Sequence, residues 1–362
     1  MSRPANPISA TQFIFLITGL QSGVVFLTLP RNLASIAGTD SWLAIPAGWL
    51  ISSAVGIVIV RIMQYCPDGN LLDLLQSRIG PWAARTAAVL FAGYFFVFAY
   101  DGFILSVLVT KVWLLPNTSV FVLAALFLLP SMFIAKYGLQ TISRYAVAVI
   151  LMSLWIPIVY LITLKDAEWL YLLPLLKEGG GPVLSAVYSM VYPALGMVAA
   201  FFLYPHLIQK KAAAAYIVVA NTLSHSLYLF ITLVCFVYFS PDELAQLNNP
   251  VITIMNSLEF NFIERVEVPF IAFYVLIFSL DLIPSIYLVS YCLQRVGKKG
   301  SIRLNLVFVA AAIIVTMLIR TPSMLHVDDL NKMLGTFGFA IEYVLPVGLL
   351  VYLAMRSRRT KA

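Results

Sequence analysis

Apolar stretches long enough to cross a bilayer as helices, roughly 18 residues or more, recur along nearly the whole chain. They fall at about 9–36, 40–64, 82–112, 117–137, 143–164, 183–208, 214–239, 263–293, 304–321 and 333–356. Hydrophobic residues make up 61% of the 362 and charged residues only 11%, against about 25% charged in soluble domains. A soluble fold cannot hide that much apolar surface, so lipid must cover it. The chain is therefore expected to be an all-α integral membrane protein of about ten transmembrane helices. No soluble domain is expected. The longer polar connections, about 165–182, 240–262 and 321–332, have room for short surface helices.

The net charge of +7 reads as topology. With the N-terminus cytoplasmic, 16 of the 23 Lys and Arg residues fall on the cytoplasmic side, as the positive-inside rule requires of ten spans with both termini inside. No basic stripe with interleaved aromatics points to nucleic acid. Cys66, Cys235 and Cys292 are far apart and imply neither a disulfide framework nor a metal site. The first apolar run lacks a signal-peptide cleavage site, so it is expected to remain as the first span. Ser9-Ala10-Thr11-Gln12 has the form of a capping box at its start.

Two spans carry interruptions near their middles. The first contains Thr18-Gly19-Leu20-Gln21-Ser22-Gly23, and the sixth contains Tyr192-Pro193-Ala194-Leu195-Gly196. Glycine and proline weaken a helix, and polar neighbours can satisfy the freed backbone groups. These spans are equivalent in two five-span halves, about 9–164 and 183–321, with a final span at about 333–356. Paired interruptions of this kind point to a midplane ligand site in a 5+5 inverted-repeat permease. Free N–H groups would meet a carboxylate there, and free C=O groups an ammonium. Individually, Gly19 and Gly23 also read as a helix-packing face, and Pro193 as a plain kink.

Asp101, Asp281 and Glu342 lie inside spans, with no Lys or Arg at comparable depth. Such acids mark ligand or proton pathways. Asp101, Asp281 and the adjacent Tyr100 are taken as polar groups facing the breaks. Glu342 is set aside, because the tenth span lies outside the core of this architecture. His206 and His225 read as packing residues, and His326 as part of an outer loop. Phosphate-loop, zinc-protease and nucleophile-elbow patterns are absent from the sequence, so no enzymatic chemistry, cofactor or metal is expected.

Four segments, in order, resemble one family. They are Ile8-Ser9-Ala10-Thr11-Gln12; Leu29-Pro30 followed by Ala37-Gly38-Thr39-Asp40-Ser41-Trp42; Tyr137-Gly138-Leu139-Gln140-Thr141-Ile142-Ser143-Arg144; and Phe262-Ile263-Glu264-Arg265-Val266-Glu267. The chain thereby resembles the spore germination permease family, the GerAB-type B subunits of nutrient germinant receptors, itself similar to the amino acid–polyamine–organocation transporters. The resemblance implies a subunit in the inner membrane of a spore or cell that binds an amino acid or similar small nutrient and triggers germination. It also implies an A subunit and a C-subunit lipoprotein as partners. Gln140 stands where the family usually has an acid, and Tyr204 where many relatives are acidic. A proton-coupled amino-acid transporter is the alternative.

Overall fold

The computed structural model describes residues 7–23, 25–177, 179–258, 265–297 and 301–359. Among them the chain is helical, apart from turns and one isolated backbone bridge. The helices are α1 (Ala10–Ser22), α2 (Leu29–Ala37), α3 (Ala44–Met63), α4 (Leu71–Arg78), α5 (Pro81–Trp113) and α6 (Val120–Ala135). They continue as α7 (Leu139–Met152), α8 (Trp155–Ile162), α9 (Gly180–Ser189), α10 (Ala200–Leu203), α11 (Ala213–Tyr238) and α12 (Pro241–Gln246). The last five are α13 (Pro250–Asn256), α14 (Glu267–Gly297), α15 (Ile302–Ile319), α16 (Met324–Gly338) and α17 (Leu345–Arg359). Seven helical stretches among the described residues are long and apolar enough to cross a membrane, and Val120–Ala135 and Met197–His206 are shorter apolar helices.

Local sequence explains the helix ends. Ser9 Oγ accepts from the Gln12 N–H at 3.3 Å while Gln12 Oε1 accepts from the Ser9 N–H at 2.9 Å, so the expected capping box forms. Asn70 and Asp73 build a second box at the start of α4. Pro81 occupies the first turn of α5, where its missing N–H costs nothing. The motif residues are scaffold pieces. Ile8 pairs in parallel with Leu207, tying the start of α1 to the end of the broken sixth span. The Asp40 carboxylate accepts the backbone N–H groups of Leu176 and Lys177 at 2.9 and 3.0 Å, pinning the connection before α9. Arg265 pairs with the buried Glu267 at 2.8 Å; residues 262–264 of that motif lie outside the described residues.

The two long helices α5 and α14 pack along much of their length and form the spine; α1 and α7 pack on α14, α11 packs on α1, and α3 packs on α11. Outlying helices keep an apolar face open, as α15 does with Leu304, Phe308 and Leu318, which suits lipid contact.

Three expectations need correction. Residues 18–22 are helical, and the unwinding of the first span starts at Gly23. The fifth apolar stretch is not one straight helix: it bends between α7 and α8 at Ser153-Leu154, four residues before Pro157, whose ring crowds the carbonyl four residues earlier, although α6 and α14 run on through Pro130 and Pro284. The stretch 321–332 is not a separate surface element: α16 starts at Met324 and runs through a π-helical segment, Phe339–Val344, into α17. His326 is accordingly buried in a helix, not exposed in a loop.

Gly196 has φ +105°, and an added Cβ would sit 2.9 Å from Leu20 Cβ. Gly196→Ala is expected to lower stability by about 2 kcal/mol or more, from left-handed strain together with the clash. Gly93, in mid-helix with open space around it, is the control: Gly93→Ala should change stability by less than about 1 kcal/mol. Thermal unfolding of the detergent-solubilised protein checks both.

Candidate functional site

Two unwound segments face each other in the middle of the fold. The first span opens at Gly23, between α1 and α2. The sixth opens between Ser189 and Met197, between α9 and the short helical turns leading into α10. They are joined across the gap. Gln21 Nε2 donates to the Ala194 carbonyl at 3.2 Å and to Asn221 Oδ1 at 3.1 Å. Asn221, on α11, donates in turn to Ser52 and Ser53 of α3 at 2.7 and 2.8 Å. The Tyr228 hydroxyl, also on α11, contacts the Gln21 carbonyl and lies 3.0 Å from the Pro193 carbonyl. Tyr274, on α14, donates to the Gly23 carbonyl at 2.8 Å. Thr18 binds the Ala220 carbonyl at 3.2 Å.

The acids complete the frame. Glu342 sits in the π-helical segment between α16 and α17 and is fully buried. Its Oε1 accepts the Gly196 N–H at 2.5 Å and the Tyr94 hydroxyl at 2.5 Å, and its Oε2 accepts the Val198 N–H at 3.4 Å. A carboxylate of the protein therefore occupies the positive start of the second half-helix. Gly338 makes this approach possible: a Cβ there would lie 2.4 Å from Leu195 Cδ2. Asp101 accepts from the Tyr192 hydroxyl at 2.5 Å. With its amide nitrogen turned toward the acid, Asn331 of α16 donates to both Asp101 oxygens at 3.1 Å. Asp281, 1% exposed on α14, faces the backbone at Gly23, where a Cβ would meet its Oδ2 at 2.6 Å. Its Oδ1 has no hydrogen-bond partner among the described residues.

The residues singled out in sequence thus divide. Thr18, Gln21 and Gly23 join the network at the breaks, as do Tyr192, Pro193, Ala194 and Gly196. Gly19 is a helical packing position, with a Cβ placed 3.0 Å from Leu280. Leu20 packs on Gly196, Leu195 packs on Gly338, and Ser22 bonds back to the Thr18 carbonyl at 2.7 Å. Asp101 and Asp281 both face this region. Tyr100 instead packs against Phe96 and His326, its hydroxyl without a hydrogen-bond partner among the described residues.

Setting Glu342 aside was wrong, because the tenth span reaches the break itself. Tyr94, Asn221, Tyr228, Tyr274 and Asn331 are further participants that sequence reasoning missed. Their one signal was polarity within apolar spans, which membrane tyrosines and asparagines share with ordinary packing positions. The expectation of free N–H and C=O groups also needs correction: Glu342, Gln21, Tyr228 and Tyr274 already engage those identified above. Beside the first break lies a mostly apolar cavity of about 110 Å³, bordered by Thr18, Gly19, Ser22, Phe26, Tyr274 and Leu280 among others. Among the described residues no group of three or more His, Cys, Asp or Glu side chains is placed to hold a metal ion.

In class, this is an all-α membrane protein built on a transporter fold. The chain superimposes on Mhp1, a nucleobase-cation-symport-1 family transporter solved in a closed conformation with bromovinylhydantoin bound. The TM-score is 0.75 at 15% identity, covering 99% of this chain and 81% of that one. It also superimposes on MhsT in complex with L-phenylalanine, with TM-score 0.65 at 15% identity over 94% and 88% of the two chains. The family is narrower than the fold: residues 7–325 match the spore germination protein family, to which the chain belongs. It is 22% identical over 346 residues to spore germination protein GerQB of Bacillus cereus, spanning 94% of each chain. It is 26% identical over 283 residues to spore germination protein A2 of Bacillus subtilis strain 168, spanning 74% of this chain and 75% of that one.

Removing the Glu342 carboxylate leaves the Gly196 N–H and Tyr94 hydroxyl without their acceptor, at about 1–3 kcal/mol for each buried orphan. Glu342→Ala is therefore expected to lower the unfolding temperature clearly, and Tyr94→Phe much less. In a double-mutant cycle the pair should be non-additive, because both changes break one bond. Additive losses would show that the two side chains do not interact.

Proposed function

We propose that the protein is the B subunit of a spore nutrient germinant receptor, which binds an amino acid or similar small nutrient between the breaks of its first and sixth spans. Membership of the spore germination protein family supports the setting. One observation carries the site: Gln21 of the first span bonds the Ala194 carbonyl of the sixth, and the Tyr228 hydroxyl reaches carbonyls of both. A ligand entering there must exchange contacts with both halves of the junction at once, so binding energy becomes relative movement of the helices. Such movement follows only from differential affinity for two arrangements. In the receptor reading it passes to an A subunit and a C-subunit lipoprotein. The chain acts as a single transmembrane domain of two five-span repeats, about 9–164 and 183–321, with a final span. It sits in the inner membrane, both termini cytoplasmic, with the basic-residue distribution as support.

A proton-coupled amino-acid transporter is the second reading. It is favoured by three acids buried on α5, α14 and the α16–α17 connection, with no ion pair to a basic side chain among the described residues. Spores lacking this chain are expected to lose the response to at least one nutrient in a panel of amino acids, sugars and nucleosides. Tyr228→Phe, which keeps the ring and deletes the bridging hydroxyl, should blunt that response at least tenfold with normal amounts of protein in the membrane. A normal response in both strains would overturn the receptor reading. Accumulation of an amino acid by reconstituted protein under an imposed proton gradient would establish transport.

A further inference from the structure

The end of the bundle at which α5 begins and α17 stops carries an apolar groove with a basic rim. The groove, about 280 Å³, lies between α4, α5 and α17. Leu71 and Leu75 line it from α4, Trp82 and Phe91 from α5, and Leu345 and Leu349 from α17; Thr86 supplies its one hydroxyl. Helical spacing puts an arginine on the lining face of two of these helices. Arg78 follows Leu71 and Leu75, and Arg356 follows Leu345, Leu349 and Tyr352. The two meet: Arg356 Nη1 donates to the Arg78 carbonyl, and also to the Tyr352 hydroxyl at 3.0 Å. Arg85 stands one turn along α5 from Trp82. All three arginines are exposed. The protein offers Arg78 and Arg85 no counter-charge, since neither makes an ion pair among the described residues. In the connections that the basic-residue count assigns to this side, the side-chain carboxylates are Asp68 and Asp73 alone. Both are taken, by Lys210 at 3.0 Å and by Arg295 at 2.9 Å. Guanidinium groups gathered without a carboxylate match a phosphate, which accepts two N–H bonds from one arginine. Two features make that phosphate a lipid's. The groove is continuous with the lipid-facing surface, where Leu90, Val347 and Val351 are exposed. Trp82, 78% exposed beside the arginines, is the residue type that suits the membrane–water interface.

We propose that this groove binds an anionic phospholipid, with its phosphate on Arg78 and Arg85 beside Arg356 and one acyl chain along Phe91, Leu345 and Leu349. Basic pockets between transmembrane helices recognise such head groups, and the apolar walls below give the acyl chain a place that a soluble anion would leave uncovered. The acyl chain lies next to the junction of the last and sixth spans. Phe91 is one turn before Tyr94, Leu345 is one turn after Glu342, and those two partners share a 2.5 Å hydrogen bond. Bound lipid therefore holds α17 against α5 close to where Glu342 reaches the break. The site is separate from the breaks themselves and stands under either functional reading.

The test is thermal unfolding of the purified protein in uncharged detergent at low salt. The probes are dioleoylphosphatidylglycerol, dioleoylphosphatidylcholine and inorganic phosphate. Phosphatidylglycerol is expected to raise the unfolding temperature saturably by about 3 °C or more, and the other two by less than about 1 °C. Arg78→Gln combined with Arg85→Gln should weaken that stabilisation about tenfold or more, with the unfolding temperature in phosphatidylcholine unchanged. Leu349→Trp, which fills the groove and keeps the arginines, should do the same. Lys136→Gln combined with Arg144→Gln removes equal charge from exposed positions on the same side, away from the groove, and should leave the stabilisation intact. Equal stabilisation by phosphatidylcholine or by inorganic phosphate would overturn the proposal. So would an equal loss in the Lys136 and Arg144 pair, which would show attraction to bulk charge alone. Loss of a co-expressed partner subunit in the groove variants, with no dependence on lipid, would give the groove to a protein and overturn it too. If Leu349→Trp fails to fold, the two charge-removing pairs still decide.

Discussion

Where a helix unwinds inside a membrane, its backbone N–H and C=O groups lose their partners and have no water to turn to. Everything at the centre of this protein answers that constraint. Glu342 takes the N–H groups at the start of the second half-helix, Tyr228 and Gln21 take carbonyls of the sixth span, and Tyr274 takes the carbonyl at Gly23. These side chains come from α1, α11, α14 and the π-helical joint of the last span. Two interruptions that would each be unstable alone therefore hold four separate parts of the bundle in register.

The same arrangement sets the polarity of the junction. Had the sixth span's N–H groups been free, an anion would be the natural guest. With an acid of the protein already there, those N–H groups are engaged. The π-helical segment Phe339–Val344 lies at this junction, and local π geometry in a helix commonly occurs at functional positions. Here it places an acidic side chain at the break while α16 and α17 continue on either side.

The quoted motifs serve mainly to build the frame. Asp40 fastens the outer connection, the capping box sets the start of α1, and Ile8 bridges that start to the end of the sixth span. Membership of the family is thus legible in residues that shape the scaffold, whereas the residues at the breaks carry no comparable pattern. Tyr204 is buried against the apolar core.

The sequence by itself determined the all-helical membrane class, the break of the sixth span, and the placing of three acids inside apolar spans. Each depends on local chemistry: apolar length, a proline three residues before a glycine, and the high cost of charge in lipid. Tertiary structure alone decided that the first span stays helical through Ser22, that the last span reaches the sixth, and which groups each acid meets. Those outcomes depend on which side chains meet across the bundle. Glu342, Asp101 and Asp281 are alike in sequence, each a lone acid in an apolar run. They differ only because Gly338 lets one helix come close, Asn331 and Tyr192 reach a second acid, and Asp281 is left facing the bare backbone at Gly23.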